Sequence, residues 1–365
     1  MSTEKRLAKL RAKIAERGLD YLLVTQPENR RYLTGFAEKD VSPSTSAGWL
    51  VVGPRDAVFV TSFLYYEGVR AAVKDWQIVR AKPRIIDGAF EVLSGLPGGK
   101  VGFDASWMTV EQHQELLAAV GKQHDFVPAV GLVEELREIK DDAEIAAIAA
   151  AVILTDRAYE HSISVVRPGT TEKQLAWEIE RYMREHGAEG TAFDIAVAAG
   201  PNSATPHHAS TDRPIMAGEP VWIDCGALLD GYCGDLTRSF CLGRADEKYR
   251  EIWDIVYRAQ ERAEMNLRPG ITGVEGDALA REVIAAAGYG DAFGHTLGHG
   301  IGLAVHEGPR VSPRGTETLQ VGNVTSVEPG IYIAGWGGVR IEDLVVYEPG
   351  GVRVLTTAPK QIIIP

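Results

Sequence analysis

Four acidic residues in the C-terminal half of the chain fall into two pairs, and each pair straddles a stretch that has to turn back on itself. Asp224 and Asp235 lie on either side of Asp230-Gly231, with apolar runs on both flanks. Asp-Gly between two strand-like runs is a strong hairpin signal. With those two residues in the turn, Asp224 falls opposite Thr237 and Asp235 opposite Gly226, so both aspartates project from one face, diagonal to each other. Glu328 and Glu342 flank a glycine-rich bend, and Gly335 lies midway between them. A bend centred there sets the two glutamates opposite each other. Val327, Ile331, Ile333, Leu344 and Val345 make both strands of this second hairpin read as buried. Ionised carboxylates gathered this way are too costly to keep in a core unless a doubly charged ion, or two, lies between them. The plainer reading leaves Asp224 and Asp235 as solvated acids on a surface hairpin and pairs one glutamate with Arg340 in a structural ion pair.

A third element lies between the pairs. His295, His299 and His306 are interleaved with Gly298, Gly300 and Gly302. Imidazole is the commonest neutral metal ligand, and a mixed histidine and carboxylate set suits Mn, Fe, Co or Zn. Glycines let backbone approach such a site closely. His299 and His306 are seven apart, so a regular strand would put them on opposite faces; a bulge at a glycine, or a turn, must intervene if both serve one site.

These strings together are specific. The hairpin from Asp224 to Arg238, then HxxGHGIGL…HE, then VEPG, then RIED, resembles the pita-bread metallopeptidases over about residues 131–365. That superfamily includes Xaa-Pro aminopeptidases, prolidases and methionine aminopeptidases. The segment LDYLLVTQPENRRYLTGF more weakly resembles the creatinase/prolidase N-terminal domain. The resemblance implies that Asp224, Asp235, His299, Glu328 and Glu342 hold two divalent ions (Mn, Co or Zn), with Asp235 and Glu342 as bridging carboxylates. It implies that His207 in NSATPHHAS contacts the substrate carbonyl or the tetrahedral intermediate, with the adjacent His208 as its rival; the bland reading makes both loop histidines. His295 and His306 resemble supporting and substrate-contacting histidines. Arg340 resembles the arginine that pairs with a ligating carboxylate, and Thr237 a residue that hydrogen-bonds a ligand. Arg310 resembles an arginine that grips the substrate's free carboxylate in some prolidases, and is equally readable as a surface arginine.

The implied activity is a dinuclear exopeptidase that hydrolyses the Xaa-Pro bond at the N-terminus of dipeptides or short peptides. Two ions about 3.5–4 Å apart bind and deprotonate one bridging water. A metal and His207 then hold the developing oxyanion, and Glu328 carries a proton to the leaving nitrogen. A metal-free creatinase-like amide hydrolase and a non-catalytic peptide-binding module are the alternatives; the full ligand set argues against both. An N-terminal domain of this size argues against a methionine aminopeptidase.

The rest of the chain is consistent with this reading. Its net charge of −12 and pI near 5.3 argue against a nucleic-acid-binding surface. No apolar run approaches the length of a membrane span, and the charged N-terminus lacks the apolar core of a secretory signal. The three cysteines carry no CxxC motif and read as reduced thiols of a cytoplasmic protein. The expected fold is α+β: an α/β creatinase-type N-terminal domain over residues 1–130 and a pseudo-twofold pita-bread catalytic domain over 131–365. In the first, strand-like runs at 20–25, 49–53, 57–62, 76–81 and 100–105 alternate with helical stretches at 4–17, 64–75 and 109–121, with a loop at 27–35. A long helix is expected from about 132 to 166. Arg167-Pro168-Gly169 recurs as Arg268-Pro269-Gly270, and the helix ending at Gly187 recurs as one ending at Gly288, both 101 residues on. Asp224 to Glu328 and Asp235 to Glu342 continue that offset with small drifts, so a duplicated half is expected, with the site between the two copies. The resemblance also implies a homodimer.

Overall fold

The structure, a computed structural model, describes residues 2–40 and 42–365. The chain divides into two compact units, Met1–Arg137 and Glu138–Pro365, so the division lies a few residues beyond the expected 130/131.

The first unit contains α1 (Thr3–Glu16), β1 (Tyr21–Val24), α2 (Pro27–Thr34), β2 (Trp49–Val52), β3 (Ala57–Thr61), α3 (Tyr66–Ala72), β4 (Gln77–Arg80), α4 (Ile85–Ser94), β5 (Gly99–Phe103), α5 (Val110–Val120) and β6 (His124–Pro128), and runs into α6 (Glu134–Glu138). Its strands form one six-stranded sheet in the order β4-β3-β2-β1-β5-β6. The central strands are buried on both faces, which is why they read as continuous apolar runs rather than as alternation. The expected loop at 27–35 is instead helix α2. Pro27 sits at its start and Gly35 closes it with a left-handed φ of 79°, and Tyr32 and Leu33 are buried. The polar residues that suggested a loop are buried with partners: Arg30 forms a bidentate pair with Asp40 at 2.9 and 3.0 Å.

The expected long helix is broken into α6 and α7 (Asp142–Val165). Asp141 causes the restart: its side chain accepts hydrogen bonds from the backbone N–H of Ala143 (2.9 Å) and Glu144 (3.1 Å), and Glu144 accepts from the Asp141 N–H. This reciprocal cap satisfies the free N–H groups of a helix start and so favours one there.

The second unit is built from two similar halves. The first comprises α7, α8 (Glu172–Glu185), β7 (Gly190–Thr191), β8 (Ala196–Ala199), β9 (Pro220–Cys225), β10 (Ala227–Leu229), β11 (Tyr232–Cys233) and β12 (Leu236–Leu242). The second comprises α9 (Glu247–Asn266), α10 (Gly273–Ala286), β13 (Gly298–Gly300), β14 (Glu307–Val311), β15 (Val324–Val327), β16 (Gly330–Ile333), β17 (Gly337–Arg340), β18 (Asp343–Glu348) and β19 (Gly351–Val354). The short β20 (Ile363–Ile364) returns to pair in parallel with β12. Equivalent devices recur in the halves. Gly169 and Gly270 have φ of 95° and 96°, and their N–H groups donate to Ile215 and Leu319, both at 2.8 Å. Thr171 and Thr272 each cap the helix that follows and each make an isolated bridge, to Pro214 and Thr318. Each helix pair covers the sheet of its own half, with Ile179, Val197, Ile223 and Phe240 fully buried in one core and Val256, Ile284, Val327 and Val345 in the other.

Candidate active site

The Asp230-Gly231 turn has φ of 48° and 78°, the pair of left-handed residues that a tight hairpin requires. It places Asp224 opposite Thr237, and the same register continues outward through Leu228 with Cys233 and Leu229 with Tyr232. Asp235 stands at the break between these two paired stretches, just before β12. On the second hairpin, Ile331 pairs with Val339 and Ile333 with Gly337, while inward Val327 pairs with Asp343. Glu328 and Glu342 therefore occupy the step between the two ladders, at the register a bend about Gly335 dictates. Their N–H groups leave the hairpin: Glu328 donates to Leu297 at 2.8 Å and Glu342 to Thr237 at 3.0 Å, which stitches the first half's β12 to the second half's glutamate.

His299 reaches the same place through an irregularity. It pairs with Arg310, but its neighbour Gly300 pairs with Glu307, so the register shifts between them. This bulge brings the His299 and His306 rings to 4.3 Å between centroids. Only glycine fits at 300, because a Cβ there would meet the Gly308 carbonyl oxygen at 1.9 Å. His299 Nδ1 donates to the Gly300 carbonyl at 3.1 Å, which leaves Nε2 facing Asp235 Oδ2 at 3.7 Å and Glu328 Oε1 at 3.3 Å. That tautomer is the one a metal-ligating imidazole needs.

Ligand atoms of Asp235, His299 and Glu342 all lie within 4.8 Å of one another. Glu328 borders this group through His299 and accepts from Ser326 Oγ at 3.0 Å. Asp224 lies to the other side, with Oδ2 held by Arg340 Nη2 at 2.7 Å and its buried Oδ1 without any hydrogen-bond partner. The protonation pattern reflects the crowding. Burial first, then Glu342, Asp224 and Glu328, push Asp235 well above the ordinary carboxylate range. Burial and then Glu328 and Asp224 do the same to Glu342, and Asp224 is raised despite Arg340. Glu328 goes the other way: burial would raise it, but the His299 hydrogen bond and charge bring it to about 2. His299, which burial alone would keep neutral, is raised to about 9 by Glu328 and Glu342. Carboxyls raised by their crowding, a buried Asp224 oxygen without a hydrogen-bond partner among the described residues and an imidazole raised by its acidic neighbours mark a site rich in negative charge. Its mixed nitrogen and oxygen donors fit divalent transition ions.

Arg340 is buried against this cluster. Besides Asp224 it donates to Thr237 Oγ1 at 2.9 Å, the Tyr332 hydroxyl at 2.7 Å and the Pro206 carbonyl at 3.3 Å, and its guanidinium stacks 4.7 Å from the Trp222 ring centroid. Thr237 Oγ1 in turn donates to Glu342 Oε2 at 2.7 Å. Tyr332 was not foreseen from the sequence. Its hydroxyl joins Arg340 to His295, whose Nε2 lies 3.0 Å away while Nδ1 donates to the Thr296 carbonyl at 2.8 Å. Burial, opposed by Arg340, leaves the Tyr332 hydroxyl pushed up to about 12. Burial keeps both His295 and His306 below the usual imidazole range. A sequence signal for Tyr332 did exist: Gly330 pairs with Arg340 and Tyr332 with Gly338, so Tyr332 is the diagonal same-face neighbour of Arg340.

The two adjacent histidines are separated by their partners. His208 Nε2 donates to the fully buried Glu172 at 2.9 Å, whereas His207 is exposed and makes no side-chain hydrogen bond among the described residues. Arg310 is the direct cross-strand partner of His299, so both side chains leave the ladder on one face. It is exposed and unpaired among the described residues.

A family model described as metallopeptidase family M24 matches residues 146–349. The chain belongs to metallopeptidase family M24. The Creatinase/Prolidase N-terminal domain matches residues 6–139. The protein is 35% identical over 360 residues to an Xaa-Pro dipeptidase of Pyrococcus furiosus, covering 99% of this chain and 100% of that one. Among solved structures, an Xaa-Pro dipeptidase from Bacillus anthracis has a TM-score of 0.93 at 38% identity and covers 100% of both chains. An X-Pro aminopeptidase from Thermotoga maritima has a TM-score of 0.85 at 34% identity, covering 96% of this chain and 99% of that one. The fold is accordingly a creatinase-type N-terminal domain followed by the pita-bread domain of the M24 family. Among the described residues no helix is long and apolar enough to cross a membrane.

Proposed function

We propose that this M24 family member is a metal-dependent exopeptidase that hydrolyses the Xaa-Pro bond at the N-terminus of dipeptides or short peptides. The observation that carries the metal dependence is the convergence of Asp235, His299 and Glu342, whose ligand atoms lie within 4.8 Å of one another. The names of its full-length relatives supply the substrate class. The creatinase-like alternative, which dispenses with metal, gives this carboxylate cluster no purpose.

Asp224, Asp235, His299, Glu328 and Glu342 would hold the metal, in our reading two Mn, Co or Zn ions. Divalent cations there would polarise the scissile carbonyl and lower the pKa of water at the site. The protein's own groups do the rest. Arg340 occupies one oxygen of Asp224 and leaves Oδ1 free, while Thr237 occupies Glu342 Oε2 and leaves Oε1 free. Glu328 would accept the proton of the attacking water on its carboxylate and return it to the departing nitrogen. A proline nitrogen carries no N–H in the peptide and leaves as a secondary amine, so a placed proton donor matters there. We assign the carbonyl contact to His207, since His208 is engaged by Glu172. His306 and His295 line the substrate side, the latter oriented by Tyr332. Arg310 would bind the free carboxylate of a dipeptide. We further read the protein as a cytoplasmic homodimer, in keeping with its acidic charge and buried free cysteines.

Chelator-stripped protein reloaded with Mn, Co or Zn, and given an Xaa-Pro dipeptide and an Xaa-Pro tripeptide side by side, tests the reading. Metal-dependent release of Xaa from the dipeptide alone makes it a prolidase, and release from both makes it an aminopeptidase. Release from neither refutes the assignment.

A further inference from the structure

The residues around His207 converge on a carboxylate that the proposed chemistry does not touch. Glu172 opens α8 and its side chain is fully buried. Five donors reach it. The Ala199 N–H at 2.9 Å and Asn202 Nδ2 at 3.0 Å bind Oε1. His208 Nε2 at 2.9 Å, the Thr211 N–H at 2.9 Å and Thr211 Oγ1 at 2.7 Å bind Oε2. Burial works against its ionisation, yet these donors hold Glu172 below the ordinary range. All five come from the segment 199–211, whose ends are thereby clamped to one helix start. The middle of the segment is anchored elsewhere: Trp222 Nε1 donates to the Ser203 carbonyl at 2.9 Å, the Gly338 N–H donates to Ser203 Oγ at 2.9 Å, and the Pro206 carbonyl accepts from Arg340. His207 thus stands between one neighbour held by Arg340 and another held by Glu172, with its own ring free.

We propose that Glu172 is a positioning residue of the hydrolytic site that acts through His207: by gripping His208, Thr211, Asn202 and Ala199 it fixes the backbone from which His207 reaches the substrate carbonyl. This rests on the reading of His207 as the carbonyl contact. Arg340 sets one side of His207 and Glu172 the other, so loss of either anchor lets the imidazole drift. A displacement of about 1 Å at such a group can cost about 100-fold in rate. Glutamine at 172 keeps the shape but turns an NH₂ toward donors that need an acceptor, which opens the clamp without emptying the site.

The test is a double-mutant cycle on metal-loaded enzyme with an Xaa-Pro dipeptide, using Glu172→Gln, His207→Ala and the pair, with kcat and KM measured separately. His207→Ala is expected to lower kcat roughly 100-fold, as for one oxyanion donor. Glu172→Gln is expected to lower kcat at least about tenfold, with KM changed less, and to have under about a twofold effect once His207 is gone, because coupled residues are non-additive. A purely structural role would lower activity by the same factor in both backgrounds, and that result overturns the inference while leaving the proposed function standing. If His207→Ala leaves kcat unchanged, the assignment of the carbonyl contact fails and this inference fails with it. Should Glu172→Gln not fold, Thr211→Val removes a single donor and takes its place in the cycle: a loss of kcat that vanishes without His207 supports the inference, and an equal loss in both backgrounds overturns it.

Discussion

Replacing Arg340 with methionine removes the cation hydrogen-bonded to Asp224 while keeping most of the side chain's bulk. Arg340 is 3% exposed, and its guanidinium makes four charge-assisted hydrogen bonds, one to the Asp224 carboxylate at 2.7 Å and three to the uncharged acceptors Thr237, Tyr332 and Pro206. A hydrogen bond to a charged group is worth about 1.5–3 kcal/mol, and a desolvated stack such as that on Trp222 about 2 kcal/mol. These contributions share one side chain and do not add. The governing cost is that of stripping one partner from a buried ion pair, about 3–5 kcal/mol. At roughly 2–4 °C per kcal/mol for a unit of this size, the melting temperature of chelated protein should fall by about 6–20 °C. With saturating Mn the fall should be smaller, because Asp224 Oδ1 then gains a cation of its own. Calorimetry of parent and variant, in chelator and in metal, measures both differences. A loss under about 1 kcal/mol in chelator, or one that metal does not change, would refute the view that Asp224 depends on Arg340 when no ion is bound.

Three further expectations follow from the same geometry. Asp235→Asn should leave the melting temperature of chelated protein within a few degrees of the parent, since a neutral amide relieves the crowding by Glu342, Asp224 and Glu328 that pushes Asp235 up, but should abolish the rise of about 5–11 °C expected from metal at 100-fold over its Kd; calorimetry in the two buffers decides. Arg310→Gln should raise KM for an Xaa-Pro dipeptide roughly 10- to 150-fold, the equivalent of a lost charged hydrogen bond of about 1.5–3 kcal/mol, and should move the tripeptide KM less; equal shifts would remove Arg310 from carboxylate binding. Glu264 is raised to about 8 by burial and by Asp343, with Lys360 opposing, against about 4.3 in an unfolded chain. Its contribution to stability is therefore full below pH ~4.3 and lost as pH rises through about 8, so Glu264→Gln should gain stability relative to the parent between about pH 5 and 9, read by denaturation across that range.

The two hairpins were legible because register is arithmetic once a turn is located. Asp230-Gly231 announces itself by residue type, and Thr237 falls opposite Asp224 as counted. Gly335 centres the second hairpin, and pairs on both sides of Glu328 and Glu342 keep that register. The bulge at Gly300 was expected only as a requirement of two histidines sharing one site; its position depends on how close β14 comes, which no local pattern encodes. Helix α2 was missed because Asn29 and Arg30 look solvated until Asp40 and Arg137 are found beside them. The break before α7 was missed although its signal, Asp141 three residues before Glu144, was in plain view. Glu172 and Tyr332 were missed for another reason. Each draws its meaning from partners far away in sequence, Thr211 for one and His295 for the other. In sequence Glu172 reads only as an acid in a helix's first turn, and Tyr332 is marked only by its place diagonal to Arg340 on the hairpin.

The central claim is that the carboxylate and histidine cluster is a metal site on which turnover depends. The most direct measurement titrates Mn into chelator-stripped protein while counting bound ions per chain by elemental analysis and following alanyl-proline hydrolysis at each step. Without metal no hydrolysis is expected, recovery should rise with ions bound, and Asp235→Asn should show neither binding nor recovery. Undiminished hydrolysis by protein shown to carry no ion, or recovery in Asp235→Asn equal to the parent's, would contradict that claim.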